Sequence, residues 1–238
     1  MKGVRPVKSR DGVLVVYDER RWSLLREKRS KALAIMKALE SAGLESLVIG
    51  SVARGDVHEG SDIDVAIPVP VPIFVVELSL EQAGFRIIMK EIVQATPRHT
   101  PKAYLYLDDE TSIHVPLLPL RELEREFYRF GGALDLKGLE KGLRVCGVNK
   151  QLLFIEPVRQ GHVEYSVVGR EKVVAEKLGV SEDIVKERVA VLTRRSERGR
   201  TGVFLKIDLP PEANVEEALM RAARRNPLLR RKIEGWLL

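Results

Sequence analysis

Apolar residues along the chain fall into two periods, one near 3.6 and one of two, and the switches between them outline the elements. Residues 13–17 are a short β-rich run. Residues 22–42 follow with Leu25, Ala32, Leu33, Met36 and Leu39 at helical spacings, which predicts a long amphipathic helix closed by Gly43. Residues 47–49 read as a buried strand, 52–61 as a polar loop and 63–67 as a second strand. A helix at 74–83 ended by Gly84, a strand at 85–93, and a hairpin of 103–107 with 112–117 around Asp108-Asp109-Glu110-Thr111 complete this part of the chain.

Beyond Pro119 the texture changes. Residues 121–130 make a charged helical pattern, Gly131, Gly132 and Gly138 punctuate the chain, and 152–155 and 163–168 are strand-like. Two short helices, 170–178 and 181–193, are joined by Gly179-Val180; a basic loop at 194–200 leads to a strand at 203–207, and Pro210-Pro211 precedes a last helical pair, 215–225 and 227–237. The change of texture sets an expected boundary at 119–135 and divides the chain into residues 1–120 and 121–238. The expected class is α+β: a mixed sheet with helices on one side, then a smaller α/β domain.

Composition narrows the classes. Of 238 residues, 45% are hydrophobic and 31% charged, which excludes a disordered or collagen-like chain. The longest apolar stretch, 67–76, is broken by Pro68, Pro70 and Pro72, too short to cross a bilayer, and no signal-peptide core follows the basic start, so a cytoplasmic protein without membrane partners is expected. A single cysteine, Cys146, allows no internal disulfide, and four histidines show no zinc-ligand spacing. The net charge of +6 is unevenly placed: residues 1–120 hold 16 Lys/Arg against 16 Asp/Glu, leaving 24 against 18 for the rest. A polyanionic partner, DNA or RNA, is one reading of that excess, and solubility is the other. Amides are few, only Gln82, Gln94, Gln151, Gln160, Asn149, Asn214 and Asn226, a composition resembling that of thermophile proteins.

The chemistry is concentrated at Gly50-Ser51 and, ten residues later, Asp62-Ile63-Asp64. Residues two apart in a strand project from the same face, so Asp62 and Asp64 point together while Ile63 and Val65 enter the core. Two neighbouring carboxylates repel unless a cation lies between them, and Mg²⁺, or Mn²⁺, is a hard ion that joins carboxylates to triphosphate oxygens. Gly50 lets the backbone approach phosphate without a side chain intervening, Ser51 adds a hydroxyl, and Arg54 and Gly55 extend the cradle.

This arrangement, GSVARGDVHEGSDIDVAI as written in the chain, resembles the nucleotidyltransferase superfamily of DNA polymerase β, the CCA-adding enzymes and the minimal antitoxin-type transferases, over roughly residues 30–118. The resemblance implies metal-dependent transfer of a nucleoside monophosphate from ATP or another nucleoside triphosphate to an acceptor, with Asp62 and Asp64 as catalytic metal ligands and Gly50, Ser51 and Arg54 binding nucleotide. It also implies a third carboxylate from a later strand, and the matching position in 112–116 holds His114. Three readings stand: His114 is a replacement ligand or base, it marks a site that binds nucleotide and turns over poorly, or it is an ordinary hydrogen-bonded histidine with the third acid elsewhere.

In the second half, Val174-Ala175 to Val180-Ser181 followed by Val185 resembles a helix-turn-helix within residues 170–207, with Ser181 as a helix cap and 203–207 as part of a wing. Glu182 and Asp183 repel phosphate at the start of the second helix, so nucleic-acid contacts are expected from Lys186, Arg188, Arg194, Arg195, Arg198 and Arg200. The same segment also reads as a structural corner with a solvated basic face. Two functions follow: a nucleotidyltransferase with a basic C-terminal domain, or a catalytically degenerate nucleotide- and nucleic-acid-binding regulator. A transferase that nucleotidylates a partner toxin fits less well, given the length of the chain.

Overall fold

The computed structural model describes residues 5–8, 11–199 and 202–237. In chain order the elements are β1 (Val13–Val16), α1 (Glu19–Ser41), β2 (Leu47–Ile49), the single turn α2 (Ser51–Arg54), β3 (Ile63–Ala66), α3 (Ile73–Gln82), β4 (Met89–Gln94), β5 (Lys102–Asp108) and β6 (Thr111–Pro116). They continue as α4 (Glu122–Gly131), β7 (Ala133–Asp135), α5 (Leu136–Glu140), β8 (Gly147–Val148), β9 (Leu153–Val158), β10 (Gly161–Ser166), α6 (Glu171–Leu178), α7 (Glu182–Arg198), β11 (Leu205–Leu209), α8 (Val215–Arg225) and α9 (Pro227–Leu237). The fold is α+β with a mixed sheet, as the hydrophobic periods indicate.

Helix α1 begins earlier than its apolar spacing suggests because Asp18 caps it, Oδ1 accepting the Arg21 N–H at 2.8 Å. Ala32, Ile35, Met36 and Leu39 are fully buried along one stripe of it, at the i, i+3, i+4, i+7 positions of an amphipathic helix. Strand β4 starts at Met89 and not at Phe85. The short elements β7, α5 and β8 lie where the sequence shows only glycine punctuation. The basic segment expected as a loop is helical to Arg198, where α7 ends at Gly199.

The chain forms two compact units, one of Met1–Leu33, Leu47–Ile63 and Glu122–Thr201, the other of Ala34–Ser46, Asp64–Arg121 and Gly202–Leu238. Neither is a contiguous half, in contrast to the expected division into 1–120 and 121–238. Strand pairing is the reason: β1 pairs with β10, and β11 with β4. The first unit has an antiparallel sheet in the order β1-β10-β9-β8 and the antiparallel pair β2-β7. Its core joins Phe130 of α4, Val148, Leu152 and Phe154 of the β8-β9 region, Val174 and Ala175 of α6, and Ile184 and Val185 of α7. Ser181 caps α7 and also donates through N–H and Oγ–H to the Glu126 carboxylate of α4.

The second unit runs β11-β4-β5-β6-β3. Ile92, Ala103, Leu105, Ile113, Val115 and Val65 are fully buried, one side chain in two along each strand. Lys90 shares that side, its ammonium 2.5 Å from Glu77 of α3 and donating at 2.9 Å to the carbonyl of Ala213 just before α8. The alternate residues make a polar row, with Asp208 opposite Glu91, Glu91 opposite Tyr104, and Tyr104 opposite His114. The strand expected as a wing is therefore the edge strand β11, which puts Leu205, Ile207 and Leu209 on its more buried side and Lys206 and Asp208 on its exposed side.

Candidate active site

Burial alternates from Asp62, just before β3, into the strand: the Asp62 side chain is 51% exposed, Ile63 is 3%, Asp64 33% and Val65 fully buried. Asp64 thus lies on the face opposite Ile63 and Val65, and Asp62, just before the strand, is partly exposed. The neighbouring strand β6 has the same alternation, with Ile113 and Val115 buried and His114 on the other side. His114 lies beside Asp64.

What the imidazole does there is specific. His114 Nε2 is 3.1 Å from Asp64 Oδ1 and 2.8 Å from Ser112 Oγ, and Ser112 donates its hydroxyl to the same Asp64 oxygen at 2.9 Å. The Tyr104 ring packs on the imidazole with centroids 4.4 Å apart. Burial, reinforced by the charges of Asp64 and Glu91, pushes the Tyr104 hydroxyl up to about 12, so it stays neutral at ordinary pH. Farther along the row, Tyr106 donates to Glu91 Oε2 at 2.8 Å and Lys206 lies 2.8 Å from Glu91 Oε1. Burial and that hydrogen bond also raise the Tyr106 hydroxyl. Of the turn acids, Asp108 accepts the Glu110 N–H at 3.0 Å, an ordinary Asx-turn contact.

In the other unit, Gly50 has φ 76° and ψ −143°, a conformation disfavoured for residues with a Cβ, and precedes α2. Its N–H donates to the Gly132 carbonyl at 2.9 Å, so of the expected cradle the Ser51 hydroxyl and backbone are the better placed donors. Arg54 is only 5% exposed. Nε and Nη2 grip Asp56 Oδ1 and Oδ2 at 3.0 and 2.9 Å, while Nη1 donates to the Gly131 carbonyl. Its guanidinium is spent internally, which corrects the expectation that it lines a phosphate cradle. It ties α2 to Asp56 and to the last residue of α4. Lys150, which the sequence did not single out, is an exposed ammonium 3.8 Å from Asp62 Oδ2.

The six basic residues expected to meet nucleic acid divide. Arg188 is partly buried with its guanidinium 5.0 Å from the centre of the Phe127 ring, and burial, then Arg195, lowers its pKa; it belongs to the packing of α7 on α4. Lys186 is exposed and pairs with Glu182 at 3.1 Å. Arg194, Arg195 and Arg198 are exposed in the last turns of α7, and Arg200 lies outside the described residues.

The family model for the nucleotidyltransferase domain matches residues 29–132. Comparison with curated proteins and with solved structures finds no match. The matched segment runs from within α1 to the end of α4 and contains Gly50, Ser51, Asp62, Asp64, Ser112 and His114; Lys150, α6, α7 and the last two helices lie outside it. Ser112 and Lys150 were missed because their relevance comes from contacts across strands and loops. The alternation that brought out His114 also held the signal for Ser112, two residues earlier on the same face.

A divalent cation fits the donor set of β3, since two partly exposed carboxylates two residues apart are hard oxygen ligands. His114 turns its Nε2 to Asp64 and Ser112. Among the described residues, no group of three or more His, Cys, Asp or Glu is arranged to hold a metal. Nor, among them, is any helix long and apolar enough to cross a membrane.

Proposed function

We propose that the chain transfers a nucleoside monophosphate from a nucleoside triphosphate to an acceptor hydroxyl, in a reaction dependent on Mg²⁺ or Mn²⁺. The observation that carries this reading is the spacing inside the family-matched segment: Asp62 and Asp64, both partly exposed, follow Gly50-Ser51 after ten intervening residues. Asp62 and Asp64 would hold the cation, which when bound supplies positive charge against the phosphate oxygens. Ser51 donates to the triphosphate tail through its hydroxyl, and Gly50 keeps the approach clear of a side chain. Lys150 adds a mobile positive charge beside Asp62. The acceptor oxygen attacks the α-phosphorus, the bond from that phosphorus to the bridging oxygen breaks, pyrophosphate leaves, and the hydroxyl proton passes to solvent.

For the acceptor, the exposed Arg194, Arg195 and Arg198, together with Arg221, Arg224, Arg225, Arg230 and Arg231 of the last two helices, favour nucleic acid. The helix-turn-helix reading of α6 and α7 is part of that proposal. A second reading, a degenerate regulator that binds nucleotide and nucleic acid, is favoured by one observation: a histidine where the resemblance places a third carboxylate.

Incubation of the full chain with labelled nucleoside triphosphates, Mg²⁺ or Mn²⁺, and RNA, DNA or protein acceptors tests the first reading. Transfer is expected, and Asp62→Asn or Asp64→Asn should reduce it on the order of 100-fold or more. Transfer unaffected by either substitution would defeat the assignment. No transfer with any acceptor, alongside nucleotide-dependent binding of nucleic acid, would favour the regulator.

A further inference from the structure

We infer that Asn149 is a positioning residue for nucleotide binding: it fixes the turn between β8 and β9 that presents Lys150 beside Asp62, outside the family-matched segment. The inference rests on the transferase reading above and names a residue which that reading does not use. Two other cations beside α2 are already engaged. Arg29 donates through Nε and Nη2 to the carbonyls of Val52 and Ala53 at 3.0 and 2.9 Å, and Arg54 is held by Asp56 and the Gly131 carbonyl. The Lys150 side chain, by contrast, is 79% exposed, with its ammonium a long 3.8 Å from Asp62 Oδ2. So exposed a pair is weak, and the charge is able to turn toward an incoming triphosphate.

The backbone beneath that side chain is fastened on both sides of it. Asn149 Oδ1 accepts the N–H groups of Gln151 at 2.9 Å and Leu153 at 3.1 Å. The Asn149 N–H donates to the Leu153 carbonyl at 3.0 Å, and the Asn149 carbonyl accepts the Leu152 N–H at 3.1 Å. Leu152 completes the turn with φ 59°, a left-handed conformation unfavourable for leucine. Full burial and a 2.9 Å bond from the Val167 N–H to its carbonyl hold it there, and the Asn149 carboxamide secures the residues on either side of it.

The turn is also tied to the glycine–serine bend. At Gly147, where β8 starts, a Cβ would come within 2.6 Å of the Gly132 nitrogen and 2.8 Å of the Gly131 carbonyl carbon, so β8 lies directly on that backbone. Gly132 in turn accepts the Gly50 N–H through its carbonyl at 2.9 Å. The path from Gly50 through Gly132 and Gly147 to Asn149 therefore fixes where Lys150 leaves the chain. Ordering on nucleotide binding is confined to one side chain and does not extend to a loop, which keeps its entropic cost low.

The test measures binding by titration calorimetry, on the full chain with Mn²⁺ and analogues of ATP, GTP, CTP and UTP that carry a methylene group between the α- and β-phosphorus. Lys150→Ala should raise the dissociation constant about tenfold or more, the worth of a charged hydrogen bond. Asn149→Ala should raise it about threefold or more, because the turn is no longer pre-ordered. In the Lys150→Ala background, Asn149→Ala should change it by less than about twofold, since a residue that acts through Lys150 has nothing left to act through. A purely structural Asn149 would give the same factor in both backgrounds. In the native protein the Gln151 and Leu153 amides should exchange slowly without nucleotide and no more slowly with it, and this measurement decides if circular dichroism shows that Asn149→Ala fails to fold. A folded Asn149→Ala variant with native affinity, equal losses in both backgrounds, an unaffected Lys150→Ala variant, or amides protected only when nucleotide is bound overturns the inference and leaves the transferase reading in place. Failure of the native chain to bind any analogue removes both.

Discussion

Arg54 and Asp56 have side chains only 6% and 8% exposed, joined by two N–H···O contacts, so deleting either partner strands a charge in a nearly dry site. Arg54→Leu should destabilise the protein by about 3–5 kcal/mol, read from urea denaturation. Arg54→Leu together with Asp56→Leu should cost less than Arg54→Leu alone, because no unpaired charge is left behind. A cost that is small for the single variant would show Arg54 to be solvated and return it to the pool of phosphate ligands. By spacing alone Arg54 looks like such a ligand, since the sequence shows its position after Gly50-Ser51 and not the Gly131 carbonyl it reaches. Ser112 was equally hidden: one serine among many in the chain, it matters only because β6 lies beside β3.

Among elements, those long enough to show a period were legible. Helix α1, α3, α4 and the last two helices formed close to where the apolar spacing placed them, and β5 with β6 made the expected hairpin. Strand β7, helix α5 and strand β8, of two to five residues each, are too short to carry a period and exist through their partners. Helix α7 was legible at its start, where Ser181 Oγ accepts the Ile184 N–H at 3.4 Å, and misread at its end, where clustered arginines looked like a loop. Since the same serine donates to Glu126, Ser181→Ala removes a cap and leaves that carboxylate short of partners. A loss of about 1–2 kcal/mol is expected, with Ser181→Thr retaining most of the stability in thermal or urea unfolding. An unchanged midpoint for Ser181→Ala would show that α7 is held by its Ile184 and Val185 packing alone.

Over the whole molecule, the excess positive charge of the second half is a statement about partners and not about fold. If the exposed end of α7 binds phosphates, replacing Arg194, Arg195 and Arg198 with alanine should weaken RNA or DNA binding and flatten its log–log salt dependence by about 0.9 for each phosphate that is no longer neutralised. Weakened binding with an unchanged salt slope would show that these residues do not meet phosphate. What the sequence determined by itself was local: the periods of the long elements, the α+β class, and the spacing of Gly50-Ser51 from Asp62 and Asp64, because side-chain alternation and turn chemistry act over a few residues. Tertiary structure decided what depends on distant chain: β1 pairing with β10, β11 with β4, two units woven from three segments each, the internal use of Arg54, and the pairing of His114 and Ser112 with one oxygen of Asp64. Apart from the Arg54–Asp56 contact, those interactions join residues tens to more than a hundred positions apart, and no local pattern along the chain encodes them.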